Sequence, residues 1–481
     1  MSKSAPLTLI IIALLLCVTT NGQGSQDDKI AVKFLKEDFT TLRSKLESSQ
    51  PGLYLYTSKD SLDRIFERVN SSLSEPMTSL EFYRRIATLN KVLRNLHTLF
   101  WASSAHEKGT ETGLPRFPLD IHWDDGRMYV LRNHSAQQNI VPGSIVKRIN
   151  GEDATTVFEK LLTCTIRDGF NESYPAARAS RNFSSYYAEL IGIPKTFAVE
   201  LITPDGADQK LEIPGMTATE INNSRVVKYD RKYSRYSEDW DAWIMQKEPA
   251  LRLEMNGGVA IMTLRTFHTY TIESNGQKYL EFLDQAFNQL TANKTTDLVI
   301  DLRNNHGGHD LVGMDLMSRL HDSVFYYYKR RTALVKPVGK FVKKGDIYEV
   351  VGRGGWIGKV TPVQEIFKGK VYVLMNGYSV SAAAEFIGHL KNIDRAVFIG
   401  EEAGGNSVIF TGGQSLHVDL PHTHITGIIP LHLNEMNVKL KNTGHGVTPD
   451  YKIKPGITDI LQEKDVEMEF ALKLIHERRV N

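Results

Sequence analysis

The chain has 481 residues, 41% of them hydrophobic and 24% charged, and its formal net charge is only +2. That length predicts two to four domains with ample core material. Nothing in the near-neutral balance points to nucleic acid, so no nucleic-acid partner is expected.

Residues 1–22 read as a secretory signal peptide. Lys3 precedes an apolar run over 9–18, and Thr19-Thr20-Asn21-Gly22 follows. The run is shorter than the roughly 20 residues a bilayer span needs, so cleavage near Gly22 is expected, with an uncleaved anchor as the alternative. The mature chain is then secreted or periplasmic, with no stable membrane insertion. Cleavage leaves Cys164 as the last cysteine, without a disulfide partner. Its setting, Leu161-Leu162-Thr163-Cys164-Thr165, is apolar and predicts a structural thiol. Sequons stand at Asn70, Asn133, Asn171, Asn182, Asn222 and Asn293, and bear glycans only in a eukaryotic secretory route.

Residues 27–105 predict an N-terminal helical domain. Apolar residues recur at helical spacing in Ile30, Val32, Phe34 and Leu35, and again in Leu62, Ile65, Phe66 and Val69. Pro51-Gly52 breaks the first run. Thr78-Ser79-Leu80-Glu81 predicts a helix start and a long helix running to residue 99. Over 115–215 the pattern changes to short strands. A helix is predicted over 154–162, and a strand pair over 197–203 and 209–213, joined by Pro204-Asp205-Gly206. The phrase Pro142-Gly143-Ser144-Ile145-Val146-Lys147-Arg148-Ile149-Asn150-Gly151-Glu152 resembles the core of a PDZ-like module, which binds extended peptides at a sheet edge. A β-rich insert of another kind is the alternative.

Residues 216–254, with Lys228, Arg231, Lys232 and Arg235 beside Tyr229, Tyr233 and Tyr236, read as a solvated linker or flap. From 255 to 457 strands and helices alternate, the pattern of an α/β sandwich with a parallel or mixed sheet. Strands are expected over 259–264, 298–302, 371–375 and 396–400, and helices over 279–290, 311–320 and 382–390. A helix closes the chain within 458–481. The basic run from Lys329-Arg330-Arg331 to Lys343-Lys344 reads as a solvated strand face.

The segment Met375-Asn376-Gly377-Tyr378-Ser379-Val380-Ser381-Ala382-Ala383-Ala384-Glu385-Phe386 carries the chemistry. Ser381 stands where an apolar strand stops and a small-residue helix begins. Its hydroxyl is exposed there, beside free backbone N–H groups. A serine N-cap is the competing reading. Ser381 needs a base, and a buried lysine or a histidine serves.

The phrase Asp301-Leu302-Arg303-Asn304-Asn305-His306-Gly307-Gly308, followed by residues 376–385, resembles the S41 family of serine peptidases. So do Ile399-Gly400-Glu401-Glu402-Ala403-Gly404-Gly405 and Gly446-Val447-Thr448-Pro449-Asp450. The resemblance implies a multidomain α/β protein: an N-terminal helical region, a PDZ-like module and an α/β sandwich core of ClpP/crotonase-like type. It implies hydrolysis of peptide or protein substrates without a cofactor or metal. Processing peptidases of the family take a lysine about 25 residues after the serine, but no lysine occurs from Asn392 to Val438. Tricorn-like members take a histidine before the β-rich module, which implies His97 as the base. The resemblance assigns the oxyanion donors to Ala382 and to Gly307 or Gly308. His306 replaces the family's usual proline or glycine. Where those members place an orienting glutamate, this chain has Asn442-Thr443-Gly444-His445. Glu385, one helical turn after Ser381, is the candidate for that role. Glu402 is the runner-up, and no acid at all is the third reading. A catalytically inactive protein holding peptides or apolar ligands, and an esterase, are the alternatives in function. His417, His422, His424, His432 and His445 lack the spacing of a metal set.

Overall fold

The computed structural model describes residues 28–102, 113–229, 249–351 and 358–480. The signal-like segment, and Arg231, Lys232, Tyr233, Arg235 and Tyr236, lie outside the described residues.

Six strands form a central sheet whose spatial order follows chain order: Leu251–Asn256, Val259–Leu264, Asp297–Asp301, Lys370–Met375, Ala396–Gly400 and Tyr451–Lys452. The first pair is antiparallel and the remaining neighbours are parallel. Side chains alternate across it with the strand period of two. Leu298, Ile300, Val371 and Val373 join a core with the helices Tyr279–Ala292, Asp310–Met317 and Ala382–Asn392. Val299, Tyr372, Leu374 and Ile399 turn the other way, against Ala471 and Ile475 of the helix Val466–Val480. Helices on both faces make this the expected α/β sandwich.

A second sheet binds the N-terminal region to that sandwich. Its order is Leu99–Trp101, Thr426–Met436, Tyr328–Ala333, Ile347–Val350, Phe341–Lys344, and Ile409–Asp419 also pairs along Thr426–Met436. The helices Val32–Ser49, Lys59–Ser72 and Ser79–Ala87 bury Leu35, Phe39, Leu42, Phe66 and Phe82 against Val418, Leu420, Ile425 and Ile429. The N-terminal helices therefore complete their core with a sheet contributed by residues more than 300 positions later.

The long helix expected after Thr78 is not continuous. Thr78 and Glu81 form a capping box, but the helix ends at Ala87, and the short turn Asn90–Leu93 stops at Arg94, whose φ is 50°. The cause is local. The Asn95 side-chain oxygen accepts from the N–H groups of His97 and Thr98, at 2.9 and 3.0 Å, replacing helical acceptors. The chain then leaves as the strand Leu99–Trp101, with Leu99 opposite Ile428.

The β-rich region is a sheet in the order Leu119–Asp124, Arg127–Asn133, Ile145–Ile149, Thr196–Ile202, Asp208–Pro214. Three helices, Ala154–Cys164, Ser173–Arg181 and Phe183–Leu190, belong to it. The stretch read as a linker begins with a docked helix, Ala218–Tyr229. Arg225 meets buried Asp120 at 2.7 Å, and Lys228 donates to the carbonyls of Asn133, His134 and Ser135. Asn171 and Asn133 are buried, so neither sequon can carry a glycan in the folded chain. Cys164 is half-buried, and burial pushes its thiol up to about 11, the mark of an unreactive sulfur.

Candidate active site

Ser381 sits between the strand Lys370–Met375 and the helix Ala382–Asn392, as the sequence pattern requires. Its backbone has φ 53° and ψ −132°, a conformation that costs a non-glycine residue of order 1–3 kcal/mol. The surroundings over-determine it. Val380 N–H donates to the Asn305 carbonyl, Ser379 Oγ donates to the Leu302 carbonyl, and Gly404 N–H donates to the Ser379 carbonyl. Asn376 accepts from Asn304 N–H and Tyr378 N–H on its side-chain oxygen. Ser381 makes no side-chain cap bond to its helix, so its hydroxyl is not occupied as an N-cap.

That hydroxyl lies 3.2 Å from Nε2 of His97, 284 positions earlier in the chain. With the ring proton on Nδ1, Nε2 accepts from the serine. The Phe410 ring lies 6.3 Å from the imidazole. Burial holds the His97 pKa below 6.5, opposed by the Asp168 carboxylate and the Thr411 carbonyl, which favour the protonated ring. The ring is therefore neutral at pH 7, the state a general base needs. Among the described residues Nδ1 meets no acceptor in good hydrogen-bonding geometry, and the Thr411 carbonyl acts on the ring only weakly.

The acid assignments change. Glu385 does not reach His97. Its Oε2 is hydrogen-bonded to Tyr328 Oη at 2.6 Å instead. The i,i+4 relation put both groups on one helix face, but Ser381 precedes the first helical residue and its non-helical backbone turns the hydroxyl toward His97. Glu402 is also elsewhere, pairing with His445 at 3.1 Å and accepting from Asn171 and Gly446. Asn442, in the segment where an acid was sought, accepts from Tyr56 Oη, Asn406 Nδ2 and Gly444 N–H.

The carboxylate that acts on His97 is Asp168, which sequence reasoning passed over. Only 4% exposed, it accepts from Leu96 N–H at 3.0 Å and from Asn406 N–H at 3.2 Å. It thereby ties the residue before His97 to the loop after Gly405, and a Cβ on Gly405 would approach Ser381 N within 3.0 Å. The neighbouring backbone locks this loop. Gly169 N–H donates to the Arg94 carbonyl and Phe170 N–H to the Gly444 carbonyl. Gly169 has φ +54°, and a Cβ there would stand 2.2 Å from the Gly444 oxygen. Gly169→Ala is expected to destabilise the fold by about 1–3 kcal/mol or more, measured as a lower urea midpoint. No local motif announces Asp168; an acid followed by glycine in a connecting loop was its whole signal.

The two glycines divide their roles. Gly307 N–H donates to Asn305 Oδ1 at 2.8 Å and so is already occupied. At φ +80°, a Cβ on Gly307 would stand 2.8 Å from both Ser381 Cβ and Ala382 N. Gly307 is the residue that lets the two segments touch. Among the described residues, Gly308 N–H and Ala382 N–H donate to no protein acceptor. His306 stacks on Tyr378 with ring centroids 4.8 Å apart and 9° between planes. His422 pairs with Glu37 at 3.0 Å, and His432 lines the cleft beside Ser381. No group of three or more potential metal ligands occurs among the described residues.

Residues 258–453 match the family model for peptidase family S41. No curated protein matches the sequence. Among solved structures, mature CPAF complexed with lactacystin superposes with a TM-score of 0.65 at 15% identity, covering 92% of this chain and 97% of that one. Mature CPAF alone gives 0.63 at 16% identity over 91% and 95%. At those identities the likeness concerns the fold. The family match spans Ser381, both glycines and every strand of the central sheet except its antiparallel edge strand, so it is this region of the chain that is similar to the S41 family of peptidases.

Proposed function

We propose that this protein hydrolyses peptide bonds with Ser381 as nucleophile and His97 as general base. The single observation that carries the reading is the 3.2 Å approach of His97 Nε2 to Ser381 Oγ. In the first step Ser381 Oγ attacks the scissile carbonyl carbon while His97 Nε2 takes its proton. The oxyanion is held by the N–H groups of Ala382 and Gly308, the first reinforced by the helix it begins. The imidazolium then returns the proton to the departing amine. Water, activated by the same ring, releases the acyl group from Ser381 and regenerates both residues.

Asp168 is a positioning and electrostatic group in this scheme. It holds the backbone before His97 and supplies negative charge as the imidazolium forms. Asp168→Asn is expected to lower kcat/KM on the order of 10- to 100-fold. Removing the carboxylate lowers the His97 pKa further. The acidic limb of the pH–rate profile, on which activity is lost as His97 becomes protonated, then moves to lower pH. A purely structural role would reduce the rate without moving that limb.

The signal-like residues 1–22 support export to the periplasm or extracellular space. The hydrolase reading is tested by incubating the mature protein with a fluorophosphonate probe and with a fluorogenic peptide library. Labelling of one serine together with peptide cleavage is expected. The lack of a well-aligned acceptor for His97 Nδ1 among the described residues favours a second reading, a peptide-holding protein with a silent cleft. Absence of both labelling and cleavage selects it. Labelling with cleavage of esters alone selects an esterase.

A further inference from the structure

A cleft of about 380 Å³ continues from Ser381 and Gly308 toward Glu385, Tyr328, Arg331 and His432. Its polar groups are not arranged for an aliphatic side chain. We propose that it takes a cationic substrate side chain, lysine or arginine, on the open carboxyl oxygen of Glu385. This deepens the hydrolase reading and rests on Ser381 being the nucleophile.

Tyr328 Oη lies 2.6 Å from Glu385 Oε2 and 3.0 Å from Asp310 Oδ2. One hydroxyl hydrogen cannot serve both, so one carboxyl group must bring its own. Asp310 already accepts from Arg331 at 2.9 Å and from Leu311 N–H at 3.2 Å. Among the described residues Glu385 accepts from no cation, and it is only 3% exposed. Burial, reinforced by Asp310, pushes its pKa up to about 8. Glu385 is therefore the protonated partner of the two carboxyl groups. It donates to Tyr328, which donates to Asp310.

Two groups are open to a ligand. Glu385 Oε1 has no protein donor among the described residues. His432, 4% exposed, has no partner on either ring nitrogen among the described residues. Burial and nearby Arg331 keep its imidazole neutral, with a pKa of about 4, so one nitrogen is an acceptor. An ammonium or guanidinium group supplies donors to both. As it enters, Glu385 releases its proton to solvent and becomes the counter-ion, which requires only a modest change from its pKa of about 8. The ionised cleft then sets Asp310 and Glu385 against Arg331, one negative charge in excess. His309, at the mouth, is about half exposed and lies 3.9 Å from Asp310. A carboxylate side chain would meet the wrong sign, and an apolar one would leave Glu385 and His432 buried without partners.

The test uses fluorogenic peptides identical except for lysine, arginine, norleucine, glutamine or glutamate beside the scissile bond, with one series on each side of it. In one series the wild type is expected to favour lysine or arginine over norleucine by about ten-fold or more in kcat/KM. That ratio should grow as pH rises from 6.5 to 8.5, because the cation must displace a proton. In Glu385→Gln the ratio should fall toward one, whatever the absolute rates. No cationic preference in the wild type, or one that is indifferent to pH and survives in Glu385→Gln, overturns the proposal. Should Glu385→Gln fail to fold, the pH dependence of the wild-type ratio decides alone. If the wild type cleaves no peptide and takes no fluorophosphonate, the hydrolase reading fails instead. The anisotropy of labelled lysine and norleucine peptides bound to Ser381→Ala then still decides what the cleft holds.

Discussion

Ser381→Ala is expected to abolish fluorophosphonate labelling and to lower peptide hydrolysis on the order of 10⁴- to 10⁶-fold. The substitution removes one oxygen and leaves in place the N–H groups of Ala382 and Gly308, which we propose as the oxyanion donors. Residual hydrolysis above that of water would come from those donors and from substrate binding. The hydroxyl holds no fold-defining contact, because it caps no helix and its one recorded side-chain partner is His97. The melting temperature should therefore stay within a few degrees of wild type. Wild-type labelling at another residue, or full labelling of the variant, would remove Ser381 from the mechanism.

His97→Ala is expected to produce a loss of similar size, because nucleophile and base act as one unit and their removals do not add. The double variant should be no slower than either single variant by more than a small factor. The pH profile separates this from damage at a distance. In the wild type, kcat/KM falls as pH drops through the His97 pKa, which lies below 6.5 because the charged ring is buried. In His97→Ala that limb disappears. The residual rate rises with hydroxide instead, since the serine has lost its internal base. A variant that retained the acidic limb would assign the base to another group.

The two carboxylates on either side of the site show where local pattern misleads. Glu385 was singled out by helical periodicity, a rule that holds only inside a helix. Ser381 stands one residue outside, at φ 53°, so the face-sharing argument does not extend to it. Asp168 was invisible for the opposite reason. It lies in a connecting loop of the β-rich region, and its two hydrogen-bond donors come from residues 96 and 406. Arg331 likewise read as part of a solvated basic strand face. In the fold it is buried and paired with Asp310, because the strand Tyr328–Ala333 lies within the second sheet, between Thr426–Met436 and Ile347–Val350.

The sequence by itself determined what short range governs. Alternating apolar strands and helices, the strand-to-helix step at Ser381, and the Gly307-Gly308 turn each follow from periodicity, capping and glycine's backbone freedom, all acting over a few residues. The absence of lysine from Asn392 to Val438 also narrowed the base, by resemblance, to His97. The tertiary structure decided which distant groups meet. His97 reaches Ser381 because Asn95 breaks a helix and the next strand, Leu99–Trp101, pairs with Thr426–Met436. Asp168 reaches both loops because the β-rich region packs between them. Those encounters span hundreds of residues. They are fixed by sheet pairing and by burial of the N-terminal helices on Val418, Leu420 and Ile429, interactions that leave no periodic trace in the chain.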